Sequence, residues 1–288
     1  MSSTSTTSAA APPPPTAPVG ATGLRTRVEG LPTWVGGFVG VVVIVVVWWV
    51  ASRTLFTASG AIPEPGAVLA KLGSATTWSD TLGNLTGTLT AAAEGYLIGN
   101  VVALLLAALV LLVPRLEQVA TQMAIVTYCL PLVAIGPILV IVAGRDAPQG
   151  ASVALAALSV FFTTVVGALL GLRAAPRTSL DVIAAYGGSR FTQLRKVQLI
   201  AALPNLFAAL KIAAPAAFLG AVLAEYLGSG GDRSLGRALI AAQSNSDAPQ
   251  LWFLALVSGA VAGLAYALIG LVGRFVTPWS SGSAGGSL

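Results

Sequence analysis

Charge is what this sequence lacks most. Only 9% of its 288 residues are charged, against about 25% in an ordinary soluble domain. A larger core does not account for the shortage, because a domain of this size still needs a wettable surface. With 56% apolar residues and a mean hydropathy of +0.86, the composition excludes a soluble globular enzyme, a disordered protein and a nucleic-acid binder. It leaves a polytopic α-helical membrane protein, whose apolar side chains face lipid as well as each other.

Histidine is absent, and Cys129 is the one cysteine. The first absence removes the commonest metal ligand and the side chain that titrates near neutral pH. With Cys129 as the single cysteine, the chain has no intrachain disulfide partner for it, which excludes a disulfide framework, a zinc site and Cys/His catalysis. The sequence therefore predicts no catalytic, cofactor-binding or metal-binding residues.

Both ends of the chain have the composition of tails. Residues 1–30 are rich in Ser, Thr, Ala and Pro, and such a segment cannot bury enough apolar surface to offset its ordering entropy. We predict a disordered cytoplasmic tail there; a regulatory role is the alternative reading. It does not resemble a signal peptide, because the apolar run begins late and no small-residue cleavage site is clear. Residues 280–288 are Gly/Ser-rich and predict a flexible C-terminal tail.

Between the tails, residues 31–279 are predicted to form one transmembrane domain. They contain six apolar segments, each near or above the about 20 residues that cross about 30 Å of hydrocarbon. The segments are 33–51, 85–113, 119–143, 151–172, 203–227 and 251–276. The predicted fold class is therefore all-α and polytopic, with about six transmembrane helices.

The basic residues predict how the chain lies in the membrane. With the N-terminus inside, five of them fall outside: Arg53, Lys71, Arg145, Arg233 and Arg237. Nine fall inside: Arg25, Arg27, Arg115, Arg173, Arg177, Arg190, Arg195, Lys196 and Arg274. Lys211, near the inner surface, would make ten. The positive-inside rule then places both termini in the cytoplasm of a multi-pass plasma-membrane protein. It also accounts for the net charge of +5 without a nucleic-acid partner.

The loop over residues 173–202 is patterned unlike the others and is too long for a simple turn. Residues 178–179 can cap a short helix with Asp181 in its first turn. Residues 187–188, both Gly, break that helix, and Ser189 can cap a second one. The pattern predicts a basic, amphipathic elbow of two short helices. By itself it fits both an interfacial helix on anionic lipid and a docking site for a cytoplasmic partner.

This elbow resembles that of a known family, the permease subunits of binding-protein-dependent (type I) ABC importers. Their cytoplasmic loop begins Glu-Ala-Ala, has a Gly six residues after the Glu, and continues Gly-Ala-Ser-Arg-aromatic. The matching stretch here is Asp181-Val182-Ile183-Ala184-Ala185-Tyr186-Gly187, followed by Gly188-Ser189-Arg190-Phe191. It departs from the family in Asp181, which replaces Glu, and in residues 182–183, which replace two Ala.

Further stretches place the resemblance closest to the nitrate/sulfonate/taurine-type branch. They are Ile-Pro-Glu-Pro at 62–65, Leu-Pro-Leu-Val-Ala-Ile-Gly-Pro at 130–137, Ala-Glu-Tyr-Leu-Gly at 224–228 and Pro-Trp at 278–279. The match covers about 62–279. Ile200 stands where many members have Pro, and residues 231–233 lengthen the outer Gly-rich segment.

The resemblance implies an ATP-driven importer of a small, anionic or organic solute. Six spans would make half a pathway, completed by a second copy, with a pair of cytoplasmic ATP-binding subunits and an extracytoplasmic substrate-binding protein. ATP and Mg would bind the partner ATPase, since this chain has no Walker-type Gly-x-x-x-x-Gly-Lys-Ser/Thr loop. The chain is thus expected to be a transport subunit and not an enzyme. The alternative is a stand-alone secondary transporter or membrane solute-binding module; an integral-membrane enzyme would need a cluster of His, Asp, Glu or Cys that is not visible.

The resemblance also implies which elbow residues contact the ATPase. They are Asp181, Ala184, Ala185, Gly187, Gly188, Ser189, Arg190 and Phe191. Gly187 would supply the sharp turn. For Arg190 and Arg195 two partners remain open, namely acids on the ATPase and lipid phosphate.

Prolines and a carboxylate point to the translocation pathway. Pro131, Pro137 and Pro215 would interrupt spans three and five, which is tolerated where neighbours or a water-filled cavity re-satisfy the backbone. Glu225 needs a partner or water, so both a structural hydrogen-bond site and a gate stay open. The candidate pathway residues are Tyr128, Pro131, Gly136, Glu225 and Tyr226. The two tyrosines fit packing roles equally well.

Two Gly-x-x-x-Gly spacings allow close helix packing. They join Gly167 to Gly171 and Gly259 to Gly263. Such spacings serve contacts within one chain as readily as dimer contacts, so the sequence leaves both uses open.

Overall fold

The computed structural model describes residues 33–57, 60–144 and 147–279, and their regular structure is helical. The predicted tails, 1–30 and 280–288, lie outside the described residues. The α-helices are α1 Thr33–Thr54, α2 Pro65–Leu72, α3 Ala75–Leu112, α4 Glu117–Cys129, α5 Leu132–Ala143, α6 Gly150–Arg173, α7 Arg177–Ala185, α8 Arg190–Gln193, α9 Leu199–Tyr226, α10 Leu235–Ser244 and α11 Ala248–Val276. A π-helical stretch, Leu194–Gln198, joins α8 to α9.

Five helical segments are long and apolar enough to cross a membrane: α1, α3, α6, the α8–α9 run and α11. They confirm five of the six predicted spans. The remaining one, predicted over 119–143 with interruptions at Pro131 and Pro137, is the pair α4 and α5, bent by 92°. The interruption falls at Pro131, whereas Pro137 lies inside α5 and Pro215, also predicted to interrupt its span, lies inside α9. The break has a local cause. Proline disfavours the α conformation in the residue before it, and Leu130 is extended at φ −68°, ψ 125° ahead of Pro131.

Helix α6 is the centre of the packing, with α3 and α9 against it. Small residues set these contacts. A Cβ on Gly95 of α3 would lie 2.4 Å from Ala156 Cβ, and one on Gly220 of α9 would lie 2.4 Å from Ser159 Oγ. Glycine at these positions lets the helix backbones approach closely, as is usual for helices that associate within lipid.

The two Gly-x-x-x-Gly spacings have different surroundings. A Cβ on Gly167 would lie 2.3 Å from Ala209 Cβ, and one on Gly171 would lie 2.8 Å from the Ala202 carbonyl oxygen. This pair therefore packs α6 on α9 within the chain. Gly259 and Gly263 on α11 have no described atom within 4 Å of such a Cβ.

Helix α1 contacts the rest of the molecule mainly at its C-terminal end. Trp48 stacks on Trp252 of α11 with ring centroids 5.2 Å apart. Its Nε1 donates to the Pro63 carbonyl at 3.1 Å, and Trp252 Nε1 donates to the Ala61 carbonyl at 3.2 Å. Most of the Val and Ile side chains of α1 are exposed. An α-helix apolar on all sides with so little buried surface is typical of one surrounded by lipid.

An ion pair joins α2 to the start of α11 at this same end. Lys71 Nζ lies 2.8 Å from Asp247 Oδ2, and Asp247 Oδ1 accepts from the Gln250 N–H at 3.0 Å, capping α11. The hydrogen bond from Lys71 lowers the pKa of the Asp247 carboxyl, against an opposing effect of burial. Helices α2 and α10, which also lie at this end, were not among the predicted elements.

Candidate functional site

The elbow, residues 174–198, begins with α7. The Pro176 carbonyl accepts from the Ser179 and Leu180 N–H groups at 3.1 and 3.3 Å, so Pro176 is the N-cap and Arg177 the first helical residue. The prediction that residues 178–179 cap this helix, with Asp181 in its first turn, is therefore wrong. Pro176 already supplies an extended N-cap (φ −60°, ψ 131°), and the helix starts immediately after it.

The predicted break at the two glycines is confirmed. Gly187 has φ +75°, the left-handed conformation that favours glycine at a helix C-terminus. The Gly187 and Gly188 N–H groups donate to the Ala184 and Ile183 carbonyls at 2.9 and 2.8 Å, which is the Schellman arrangement. A Cβ on Gly188 would lie 2.3 Å from Ile183 Cγ2. Gly187 is thus needed for its positive φ, and Gly188 is needed because a side chain there would clash with Ile183.

The second arm starts as predicted and continues further than predicted. Ser189 Oγ accepts from the Thr192 N–H at 3.3 Å and caps α8. The expected short helix is instead the beginning of a 37-residue helical run, Arg190–Tyr226, which includes the fifth span. Gln193 Nε2 donates to the Leu180 carbonyl at 3.3 Å and ties the two arms together.

The structure brings all the predicted ATPase-contact residues together at the elbow. Most are exposed: Asp181, Ala184, Ala185, Gly187, Ser189, Arg190 and Phe191; Gly188 is half-buried. Tyr186, which was not among them, is 89% exposed at the tip. The only sequence signal that could have identified Tyr186 as a contact residue was its position between Ala185 and the turn residue Gly187. The result is a protruding surface of mixed polarity on a fixed turn.

The predicted pathway residues fall into two places. Tyr128 is 71% exposed and stacks on Phe162 with ring centroids 4.5 Å apart. Pro131, at the bend, is also exposed, whereas Gly136 is buried. A Cβ on Gly136 would lie 2.4 Å from Leu227 Cδ1. Gly136 therefore packs α5 against the end of α9, close to the other two predicted residues.

Those two residues, Glu225 and Tyr226, make side-chain hydrogen bonds at the end opposite the elbow. Glu225 is 1% exposed. Its Oε2 accepts from Thr88 Oγ1 at 2.8 Å and from the Gly236 N–H at 3.1 Å. Thr88 Oγ1 in turn accepts from the Leu235 N–H at 3.0 Å. The carboxylate thus joins α3, α9 and α10, which favours the structural reading. The Tyr226 hydroxyl donates to a side chain of α10.

Helix α4 carries an exposed polar face that the prediction missed. Gln118 and Gln122, one turn apart, are exposed and line a groove of about 630 Å³ together with Arg115, Met123 and Thr127 among others. Amide groups facing hydrocarbon are costly, so this face is expected to meet water or another polar surface. Gln118 lies just before the third apolar segment and Gln122 within it, and their i, i+4 spacing was the available signal.

These features define a class of protein. The apolar helices make it a multi-pass membrane protein, and it presents an ordered, exposed elbow at one end. In the described part of the chain, no group of three His, Cys, Asp or Glu side chains could hold a metal ion.

Residues 95–281 match the family described as binding-protein-dependent transport system inner membrane component, and the chain belongs to this family. It is 29% identical over 244 residues to the riboflavin transport system permease protein RibX of Chloroflexus aurantiacus, covering 83% of this chain and 88% of that protein. It is 23% identical over 252 residues to the putative aliphatic sulfonates transport permease protein SsuC of Bacillus subtilis, covering 88% and 90%. These matches confirm the predicted importer family and a sulfonate-type branch.

The fold has also been seen in a solved structure. An amino acid ABC transporter with histidines superposes with a TM-score of 0.59 at 16% identity, covering 70% of this chain and 97% of that one. At this identity the similarity shows the fold alone. It confirms the predicted all-α polytopic class.

Proposed function

We propose that this chain is the transmembrane subunit of an ATP-driven importer and that two copies enclose the pathway of a small organic or anionic solute. An external binding protein delivers the solute, and a pair of separate cytoplasmic ATPase subunits binds ATP and Mg and drives transport. The observation that carries the proposal is the elbow, an exposed tip held on a Schellman turn between two packed helices.

The connections of the elbow suit mechanical coupling. Helix α7 is joined to α6 by residues 174–176 and to α8 by residues 186–189. Since α6 and α9 make the most extensive helix contact in the described part of the chain, a force on the tip reaches two central helices at once. Docking of a short helix into a groove of the partner follows the usual helix-in-groove mode. ATP binding and hydrolysis would then bias the inward- and outward-facing states.

The polar face of α4 supports a pathway between two copies. Gln118 and Gln122 do not face a described part of their own chain, and lipid is a poor surrounding for them. If α4 lines the pathway, the amides face water and solute. Tyr128, Pro131 and Gly136 follow along the same bent pair, which keeps these three of the five predicted pathway residues in this proposal.

The basic residues of the elbow support its cytoplasmic position. Arg173, Arg177, Arg190, Arg195 and Lys196 all belong to the elbow or its edge. By the positive-inside rule, this end lies in the cytoplasm, both termini lie there, and the end with Glu225 faces outward. The membrane is the plasma membrane.

The relatives support a small solute without fixing which one. One is named for riboflavin and another for aliphatic sulfonates. We propose that the external binding protein sets selectivity. A stand-alone transporter, the alternative, would have no use for the ordered exposed elbow.

A substitution at the turn tests the proposal. The permease is purified with its partner ATPase, and Gly187→Val is compared with Gly144→Val. Both glycines have positive φ and no described atom within 4 Å of an added Cβ. Gly144, at φ 68° and ψ −169°, is the more demanding backbone position for Val, and only Gly187 lies on the elbow. Gly187→Val is expected to lose complex formation and ATP-dependent uptake, and Gly144→Val to keep both. Survival of both activities in Gly187→Val, with thermal unfolding like that of Gly144→Val, would contradict the ATPase-docking role.

A further inference from the structure

A cleft of about 530 Å³ lies beside the elbow, between the end of α3, the start of α4, the end of α6 and α8. We call it the elbow cleft. Its polar lining consists of Glu117, Arg173, Arg190, Gln193 and Gln198, and the rest is apolar. It therefore combines cationic and amide groups with a hydrocarbon wall at one end of the spans.

An apolar groove of about 340 Å³ continues from this cleft along α3, α6 and α9. Every residue lining it is Leu, Ala or Ile, and it shares Leu111 and Leu172 with the elbow cleft. Its α9 lining begins at Leu199, one residue after the cleft's last, Gln198. The groove thus runs from the elbow cleft into the membrane-spanning part of the bundle.

Arg190 is the cation of the elbow cleft that has no acidic partner. Arg173 is already paired with Glu117. Among the residues that the structure describes, Arg190 makes no ion pair, and its side chain lines the cleft. Three more basic residues, Arg177, Arg195 and Lys196, lie on the same elbow. The cleft is therefore suited to an anion.

We propose that the elbow cleft and the groove together bind one anionic phospholipid, with its phosphate on Arg190 and an acyl chain in the groove. Only an amphiphile matches both halves. Water in the groove would find no polar partner, and an extended peptide segment there would leave its backbone groups unsatisfied. Of the two partners that the sequence left open for Arg190, the geometry favours lipid phosphate. That the lipid comes from the inner leaflet rests on the proposed orientation; the site itself does not.

Such a lipid would fix the elbow relative to the bundle. It would contact α3, α6 and the α8–α9 run at once, next to the Arg173–Glu117 ion pair. The lipid composition of the membrane would then regulate how firmly the elbow is seated.

Lipid binding to the purified full-length chain tests the headgroup half. In neutral detergent micelles, dioleoylphosphatidylglycerol is titrated and bound lipid is counted by native mass spectrometry. Dioleoylphosphatidylcholine, which is zwitterionic with no net charge, is the comparison. Arg190→Gln is expected to weaken phosphatidylglycerol binding about tenfold, the effect of losing a charged hydrogen bond. The matched control is Arg195→Gln, an exposed residue of the same helical run that does not line the cleft; it should bind within about twofold of wild type.

Three results would overturn the headgroup assignment. Equal losses in Arg190→Gln and Arg195→Gln would mean diffuse attraction to charge, and equal binding of phosphatidylcholine would mean that the charge is not recognised. Inorganic phosphate that competes as strongly as the lipid would mean a phosphate site. No ATPase is needed, so a failure here leaves the proposed transport function intact.

A bulky substitution tests the acyl-chain half. Ala108→Phe fills the groove from an exposed position, while Leu105→Phe adds the same ring to α3 at a 65% exposed position that does not line the groove. Ala108→Phe is expected to abolish phosphatidylglycerol retention and Leu105→Phe to preserve it, with unchanged thermal unfolding in both. Full retention in Ala108→Phe would refute the groove as the acyl seat.

Discussion

Replacement of Glu225 tests what holds together the end opposite the elbow. Both of its hydrogen bonds reach one oxygen, Oε2. In Glu225→Ala the Thr88 hydroxyl can turn to the Asn84 carbonyl, which lies at 3.3 Å, but the Gly236 N–H loses its acceptor in a buried site. An unpaired buried donor costs about 1–3 kcal/mol, and the space left by the side chain adds a cavity term. We expect Glu225→Ala to lower the free energy of unfolding by about 3 kcal/mol.

Glu225→Gln is the matched variant. Its amide oxygen can occupy the position of Oε2 and accept both hydrogen bonds, so the expected loss is below about 1 kcal/mol. Denaturant unfolding in micelles measures the two losses, and uptake by the reconstituted transporter measures function. The hydrogen-bond reasoning fails if Gln destabilises as much as Ala. If Gln is stable but uptake disappears, the charge is required and the gate reading of Glu225 replaces the structural one.

Two further predictions concern the packing and the pathway. Gly171→Leu is expected to destabilise the fold by about 2 kcal/mol through overpacking against the α9 backbone. Gly259→Leu, which has no described atom near the added side chain, should unfold like wild type in the same thermal assay. Equal stability of the two variants would show that the α6–α9 contact tolerates the added volume. In a Cys129→Ser background, Gln122→Cys is expected to react with a water-soluble thiol reagent in the assembled transporter, and Leu105→Cys, on an apolar exposed face, to be protected. An unreactive Gln122→Cys would place the polar face of α4 away from water.

The parts of the fold that the sequence predicts well are those fixed by local rules. A helix facing lipid must be apolar along its whole length, so the span of α1 is readable from composition alone. The turn at Gly187 and the cap at Ser189 obey backbone constraints that act within a few residues. These features therefore need no knowledge of the tertiary structure.

The remaining parts depend on tertiary contacts. The fifth span was predicted over 203–227, yet the helical run begins at Arg190 and contains Pro204. The sequence predicted the interruption at Pro131 but not the 92° angle between α4 and α5. The polar face of α4 was hidden because Gln122 alone barely changes the average hydropathy of the long apolar segment 119–143, and Gln118 falls just before that segment. Glu225 acquired its role only when Thr88 and α10, distant in sequence, packed around it.

The continuous run Arg190–Tyr226 has a geometric consequence. At 1.5 Å per residue, its 37 residues give a helical rod of at most about 55 Å, which includes the π-helical stretch Leu194–Gln198, Pro204 and Pro215. One end is the cap of the elbow, and the other is the residue next to Glu225. A tilt of about 5° about one end of such a rod displaces the other end by about 5 Å. A small rotation imposed at the elbow would therefore arrive at the far end of the molecule enlarged, without passing through any loop that could absorb it.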